Sequence, residues 1–233
     1  MHRLPSKTMH RLPSNLGALR AAWRNAADDV VSRETPCFRL VNADTDKPKL
    51  YVYDIIGGWD NDSGEFVRAV HSITADALDL HINSPGGFVY DGVAMYEALQ
   101  ESPARVDVHV DGLAASAASF LAMAGDTIEV SKAGRMMIHD AQGVGIGGPA
   151  DLREFADLLD EVSNDIAGYY AGRAGGTTAA WRKTMSATTW YSAQQAVDAK
   201  LADRVSGGKK DSGPDNRSRL ITARHRALIT PGG

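Results

Sequence analysis

Hydrophobic residues follow two different periods along this chain, and the two periods alternate between residues 50 and 200. Short runs rich in Val, Ile, Leu and Tyr favour β-strands, whereas apolar residues spaced three or four positions apart form one face of a helix. The pattern predicts strands at 50–56, 77–82, 106–110, 127–130 and 135–138 and helices at 65–73, 88–99, 114–124, 149–173, 179–186 and 192–200. Because strands alternate with helices, the sequence predicts an α/β fold.

The two ends of the chain lack this regular pattern. Residues 1–6 read MHRLPS and residues 9–14 repeat the same letters, which is too short for a structural repeat and indicates a duplicated start. A helix is predicted at 16–31, and the Gly-, Ser- and Lys-rich residues after 205 predict disorder. We therefore predict an N-terminal extension at 1–48, a folded domain at 49–205 and a basic C-terminal tail at 206–233.

Composition places the chain among ordinary globular proteins. Of its 233 residues, 43% are hydrophobic and 23% are charged, which excludes disordered and fibrous proteins. The single cysteine, Cys37, excludes an internal disulfide and favours a reducing compartment. The longest apolar run, at 113–124, has 12 residues, against roughly 20 in a membrane-spanning helix. Because the N-terminus also lacks an apolar signal core, we predict a cytoplasmic protein without a membrane segment.

The formal net charge of −4 is unevenly distributed. Residues 1–33 and residues 207–233 each contain six basic and two acidic side chains, which leaves −12 for the residues between them. Short basic ends of this kind are more often solvated than bound to nucleic acid. We therefore expect an acidic body and no nucleic-acid partner.

Three segments at the ends of predicted strands can carry chemistry. Residues 82–87 read INSPGG, and two glycines after a strand allow a sharp turn with bare backbone N–H groups. Residues 112–120 read GLAASAASF and place a serine where a helix begins, with N–H groups suited to an oxyanion. Residues 136–140 read MMIHD and end a strand on a histidine. Each segment alone is also typical of ordinary turns, helix caps and structural histidines.

In this order and spacing, the three segments resemble the Clp-type serine peptidases, a family with the crotonase-like fold. The similarity extends over about 50–205, where INSPGG, GxAAS and MMIH match the family's oxyanion, nucleophile and histidine segments. The helix at 149–173 is similar to the family's handle. The resemblance implies a fold of repeated ββα units with a protruding handle helix. The sequence contains no nucleotide or phosphate-binding motif, which predicts no cofactor. Its seven histidines show no ligand spacing, and His81 and His109 each lie alone on a predicted strand as structural residues, so we expect no metal.

The resemblance also assigns roles to single residues. Ser116 matches the nucleophile, and His139 matches the general base that takes its proton. The backbone N–H groups of Gly87 and Ala117 match the oxyanion hole. Ser119, one helical turn after Ser116, is a competing nucleophile, but the spacing of the GxAAS motif favours Ser116.

The third triad position departs from the family pattern. Where the family has an acid, this chain has Thr188, whose hydroxyl can orient an imidazole but cannot stabilise its positive charge. Three interpretations remain open from the sequence. The enzyme works as a Ser-His pair, or an acid such as Asp140 or Asp165 serves from elsewhere, or the chain is a poor peptidase.

Finer features make the chain more similar to one branch of the family, the head-maturation peptidases of tailed phages and prophages. These features are the divergent ends, the short strand exit at 55–58 and the closing segment around Trp190. The resemblance implies a serine endopeptidase that cleaves scaffold and capsid proteins, with capsid, portal or scaffold partners. It also implies a cyclic homo-oligomer stacked through the handle, and a peptide groove lined by Gly86 and Gly143.

Other functions stay open beside this one. The chain could be a housekeeping Clp-type subunit that degrades proteins with the help of an ATPase. It could be a catalytically weakened assembly protein that kept the fold, or an acyl-CoA-processing enzyme of the same fold, which also holds an oxyanion with paired N–H groups.

Overall fold

The computed structural model describes residues 37–57 and 63–207. Within these ranges the strands are β1 (Phe38–Val41), β2 (Lys49–Val52), β3 (Ala77–Ser84), β4 (Arg105–Ala115), β5 (Thr127–Ser131), β6 (Arg135–Ile138), β7 (Thr189–Ser192) and β8 (Arg204–Ser206). The helices are α1 (Ser63–His71), α2 (Val89–Glu101), α3 (Ala117–Leu121), α4 (Pro149–Ala174), α5 (Thr178–Ser186) and α6 (Ala193–Asp198). A 3₁₀ turn, Ala122–Ala124, continues α3.

The strands form one sheet that branches at β4. β2, β3, β4, β5 and β8 lie side by side and run parallel, and β1 pairs antiparallel with β2. On the edge away from β3, β4 has two successive partners. Its residues 107–110 pair with β5, and its residues 113–115 pair with β6. β7 then pairs antiparallel with β6. The branch carries the end of β4 alongside β6.

A single cluster of buried apolar side chains joins the sheet to the helices. In β3, alternate residues Leu78, Leu80 and Ile82 are fully buried, as expected when one face of a strand packs on a core. Phe66 of α1 and Phe120 of α3 belong to the same cluster. The opposite face of β3 therefore carries the polar residues between these positions.

The predicted α/β fold is confirmed, with differences at several element boundaries. The pattern predicts a helix at 114–124, but β4 continues to Ala115 and α3 begins only at Ala117. Small apolar residues suit a buried strand as well as a helix, and pairing with β6 decides for the strand. The short strands β7 and β8 were not predicted, because each is held by a partner distant in the sequence.

The sheet also begins earlier than the predicted boundary at residue 49. β1 lies within the stretch assigned to the N-terminal extension, and Phe38 and Leu40 pack against the core. The Phe38 ring meets the Phe66 ring edge-on, with centroids 5.4 Å apart. The helix predicted at 16–31 and nearly all of the predicted C-terminal tail lie outside the described residues. Within residues 37–57 and 63–207, none of the helices is long and apolar enough to cross a bilayer.

Phe38→Ala is expected to lower the free energy of unfolding by about 2 kcal/mol, because a partly buried ring and its edge-on contact are lost. Arg39→Ala is the matched control, since Arg39 is exposed and alternates with Phe38 along β1. Its loss removes only a cation–π contact with Tyr51, which is worth about 0.5–1 kcal/mol at an exposed site. Urea unfolding measures both changes, and equal effects would contradict a packing role for Phe38.

Candidate active site

Ser116 occupies a sharp turn between β4 and α3. Its backbone angles are φ 52° and ψ −125°, a combination that ordinary residues adopt only when the surroundings enforce it. The Ser116 N–H donates to the carbonyl oxygen of Met137 in β6, at 2.9 Å. The side chain is only partly buried. Strand pairing and helix start together present this hydroxyl at the end of the sheet.

The glycine turn after β3 lies directly against this serine. Gly86 has φ +96°, and a Cβ built on it would stand 2.6 Å from Ser116 Cβ and 2.8 Å from the Ala117 nitrogen. At Gly87, with φ +153°, a Cβ would stand 2.0 Å from the Ile56 carbonyl oxygen. The Ile56 N–H donates to the Gly86 carbonyl at 2.8 Å. Only glycines allow the backbone to come this close on both sides.

His139 follows β6 and reaches the serine. Its Nε2 lies 2.7 Å from Ser116 Oγ, which is hydrogen-bond distance between a nucleophile and a base. Burial lowers the pKa of His139 below its ordinary value, and the neighbouring Asp140 carboxylate opposes that shift without cancelling it. The neutral imidazole, the form that can accept a proton, is therefore favoured at neutral pH.

Two backbone N–H groups beside Ser116 are left for a ligand. Ala117 is the first residue of α3, so its N–H has no intrahelical acceptor. Gly87 forms a bridge with Ile56, but the bonds of that bridge use the Gly86 carbonyl and the Phe88 N–H. Within the described residues, the Gly87 N–H has no hydrogen-bond partner. The arrangement brings together a hydroxyl, an imidazole and two donors suited to an oxyanion.

Ser119, the competing serine, has a supporting position. Its side chain is fully buried, its hydroxyl lies 2.6 Å from the carbonyl oxygen of Ser116, and it also contacts the Tyr170 hydroxyl at 2.8 Å. These hydrogen bonds link the Ser116 turn to α3 and α4. The sequence pattern does not point to Tyr170, because the regular apolar spacing of α4 falls on its neighbour Tyr169.

Thr188 precedes Thr189, which pairs with Ile138 next to His139. Thr188 is exposed, has φ +49°, and its N–H donates to the Met185 carbonyl at 2.8 Å. Among the described residues, no hydrogen bond joins the Thr188 side chain to His139, and His139 Nδ1 has no hydrogen-bond partner. The geometry therefore presents a Ser-His pair.

Asp140 and Asp165, the two acids considered as replacements for the third triad residue, do not hydrogen-bond to His139 in the described residues. Asp140 accepts hydrogen bonds from Ser186 Oγ at 2.6 Å and from Arg182 Nη1 at 3.2 Å. Both of its oxygens are thus held on the α5 side, so it acts on His139 only through its charge. Asp165 lies on α4 in a cleft beside Tyr169 and makes no hydrogen bond or ion pair with His139 in the described part of the chain.

The two predicted groove residues are placed differently. Gly86 is buried against the Ser116 turn, whereas Gly143 is exposed in the stretch between β6 and α4. A Cβ on Gly143 would meet the Phe155 ring at 2.5 Å. Gly143 therefore allows this stretch to lie close to α4.

Comparison with known proteins identifies the family of this chain. The family described as Clp protease matches residues 68–209. Relatives include ATP-dependent Clp protease proteolytic subunit 2 of Corynebacterium glutamicum, which is 34% identical over 131 residues, covering 55% of this chain and 65% of the relative. Proteolytic subunit 1 of Corynebacterium jeikeium is 33% identical over 138 residues, covering 58% of this chain and 73% of the relative. The chain thus spans about two thirds of the length of these relatives, and it belongs to the Clp protease family.

Proposed function

We propose that this chain is a serine endopeptidase that hydrolyses peptide bonds in proteins. In this proposal Ser116 is the nucleophile, His139 the general base, and the N–H groups of Gly87 and Ala117 the oxyanion hole. The observation that carries it is the 2.7 Å contact between Ser116 Oγ and His139 Nε2. Family membership and the two available N–H groups add support.

The reaction follows from these positions. Ser116 Oγ attacks the carbonyl carbon of the scissile peptide bond while its proton passes to His139 Nε2. The two backbone donors stabilise the negative charge that develops on the carbonyl oxygen. His139 then donates the proton to the leaving amine, and a water molecule activated by the same imidazole hydrolyses the acyl-enzyme. Side chains of the substrate are not needed for any of these steps.

Substrate recognition is proposed to use backbone pairing. Gly86 lies in the turn against Ser116, and Gly143 lies in the stretch that follows His139 along the chain; in this proposal the two segments border an extended peptide. Recognition through main-chain hydrogen bonds tolerates many side chains. We therefore propose protein and peptide substrates of broad sequence.

Two biological roles fit such an endopeptidase. The relatives above are named proteolytic subunits of ATP-dependent Clp protease, which favours the role in ATPase-assisted protein degradation. The head-maturation role, with scaffold, capsid or portal partners, stays a prediction from the finer sequence features. The two roles differ in whether an ATPase must unfold the substrate first.

Ser116→Ala is expected to abolish hydrolysis of casein and labelling by a fluorophosphonate probe, because both need the Ser116 oxygen. Ser119→Ala is the matched control. It should keep labelling at Ser116 because the buried Ser119 hydroxyl is not the labelled oxygen, although the rate of labelling should fall since its bond to the Ser116 carbonyl is lost. Fluorescence gels and mass spectrometry of the labelled peptide measure the result. Casein, which is unfolded, should be cleaved by the chain alone, whereas a folded substrate should require a Clp ATPase and ATP.

Other outcomes of this experiment would support the alternatives. Unlabelled Ser116 in a folded, assembled protein would contradict the proposal and support a non-catalytic assembly protein. Turnover of a crotonyl thioester without peptidase activity would support the acyl-CoA enzyme. Cleavage of capsid scaffold without any ATPase would support the head-maturation role.

Thr188→Asp is expected to raise kcat/KM at least about tenfold and to move the acid limb of its pH profile upward. The unmodified protein should show that limb below about pH 6.5, the ordinary pKa of histidine, because burial lowers the pKa of His139. A carboxylate near the imidazole favours its charged form and raises the pKa. Thr188→Asn, which adds no charge, is the control. Identical profiles for both variants would show that residue 188 does not face the imidazole.

We also propose a homo-oligomer formed through the start of α4. Val144, Ile146 and Leu152 are 53%, 60% and 45% exposed, and the 143–148 stretch packs against the same end of α4 as Leu152. Exposed apolar side chains that cluster in this way commonly mark an interface. A cyclic arrangement is the expectation from the sequence resemblance.

The unmodified protein is expected to sediment well above its 24.9 kDa monomer mass at micromolar concentration. Ile146→Asp combined with Leu152→Asp should shift it toward monomer, because two charges would have to be buried in the interface. Asp157→Ala, an exposed change on the same helix, should leave the sedimentation unchanged. A stable monomer of the unmodified protein would contradict the proposed interface.

A further inference from the structure

One face of the sheet carries a row of polar and aromatic side chains in direct register. Tyr51 of β2 pairs with His81 of β3, His81 with His109 of β4, and His109 with Glu129 of β5. The rings of Tyr51 and His81 stack with centroids 4.7 Å apart, and so do those of His81 and His109. Asp79 lies two residues before His81 and therefore shares this face. None of these residues contributes to the Ser116 site.

The two histidines are held by carboxylates through the same ring nitrogen. His81 Nδ1 lies 2.8 Å from Asp111 Oδ2, and His109 Nδ1 lies 2.9 Å from Glu129 Oε1. A carboxylate accepts hydrogen bonds, so each Nδ1 carries the hydrogen and the opposite Nε2 is the position suited to a ligand. Metal-binding histidines are commonly oriented by a carboxylate in this way.

The two Nε2 atoms differ in their partners. His81 Nε2 is buried and has no hydrogen-bond partner among the described residues. His109 Nε2 lies 3.0 Å from Asp79 Oδ1, a contact that either a hydrogen on Nε2 or a bound cation satisfies. A proton on His109 would satisfy this contact, but it would leave His81 Nε2 without a partner. A metal ion would satisfy all three groups.

We propose that Asp79, His81 and His109 bind a divalent transition metal, for which Zn²⁺ is the best match. One ligand atom from each residue lies within 4.8 Å of the others, close enough for side-chain rotation to bring all three to one ion. Two imidazole nitrogens and one carboxylate oxygen form a ligand set that suits zinc, with water in the fourth position. The three side chains are 14%, 16% and 21% exposed, and because His81 Nε2 is itself buried, the ring rotation that binds the ion must also uncover this atom.

Lys47 is the competitor for this position. Its Nζ lies 2.6 Å from Asp79 Oδ1 and 2.9 Å from Asp107 Oδ2, and its side chain is 42% exposed. The metal would displace the ammonium from Asp79, and Lys47 would keep its bond to Asp107. The His81 and His109 rings are only 19° from parallel, so binding also requires one ring to turn toward the other. The zinc affinity is therefore the free energy gained from the three ligands minus the cost of displacing Lys47 from Asp79 and of turning one ring.

The experiment is a titration of the full chain with zinc chloride, followed by calorimetry, and with cobalt(II), followed by visible absorption. One ion per chain and a rise in Tm are expected. Asp111→Asn should weaken binding about 10- to 100-fold, because it removes the carboxylate that orients His81. His81→Ala should weaken binding further, since it removes a ligand. Lys47→Met should tighten binding, a change that a merely structural role for these residues does not produce.

Two controls separate this site from other histidines. His71→Ala removes an exposed histidine of α1 and should leave zinc affinity unchanged. His139→Ala should also leave it unchanged, which makes the metal site independent of the proposed peptidase site. The proposal is overturned if no ion binds, or if zinc affinity is the same in Asp111→Asn as in the unmodified protein. If His81→Ala fails to fold, the Asp111→Asn and Lys47→Met results decide.

Discussion

The turn at Ser116 depends on the absence of a side chain at residue 86. The backbone of Gly86 comes so close to Ser116 and Ala117 that any Cβ would overlap them. This contact keeps the strained backbone of Ser116 between strand and helix, and the buried hydroxyl of Ser119 supports it from the other side. The proposed nucleophile and both proposed oxyanion donors are thus positioned by backbone contacts, which restrict their movement. Preorganised donors of this kind need no reorganisation during reaction.

The branching of the sheet at β4 connects this turn to the histidine. Because β4 pairs with β5 first and with β6 afterwards, the last residues of β4 and β6 lie next to each other. The Ser116 N–H bonds to Met137, and His139 follows two residues later on the same side of the pair. The earlier part of the same strand carries His109 on the polar face. One strand therefore supports the proposed peptidase site at its end and the proposed metal site at its middle.

Much of this arrangement follows from the sequence. The strands with alternating or continuous apolar residues, such as β3 and β5, and the long helix α4 were predicted from their periods. The INSPGG, GLAAS and MMIH segments were expected at strand ends, and the structure brings them together. The parts that the sequence did not reveal depend on register. β1 is held by antiparallel pairing across a polar loop, and Tyr170 meets Ser119 only after α4 packs on α3.

The row of polar side chains on the sheet is a second feature that the sequence pattern could not predict. His81 and His109 have no ligand spacing along the chain, and each looks like a single structural histidine on a strand. Parallel pairing of β3 with β4 places them side by side, and the register in turn depends on how the buried residues of both strands pack. A register shift of one residue in either strand would turn the histidine of that strand to the core face. Side-chain clusters of this kind are properties of a sheet, and no window along the sequence contains them.

Ser116 and His139 lie at hydrogen-bond distance, but no carboxylate hydrogen-bonds to the other nitrogen of His139 among the described residues. In the proposed mechanism Ser116 donates its hydroxyl hydrogen to His139 Nε2, 2.7 Å away, and this requires the tautomer with hydrogen on Nδ1. What is lacking is a negative charge on the Nδ1 side, since Thr188 carries no charge and Asp140 is held by Ser186 and Arg182. Replacing the triad acid by its amide in chymotrypsin-type proteases lowers kcat about 10⁴-fold, which corresponds to about 5 kcal/mol of transition-state stabilisation. Part of that loss comes from an amide that enforces the wrong tautomer, and no such donor faces His139 Nδ1 among the described residues. Under the proposed mechanism the deficit of this chain is therefore electrostatic and smaller than that limit, and the proposed oxyanion hole retains its own contribution.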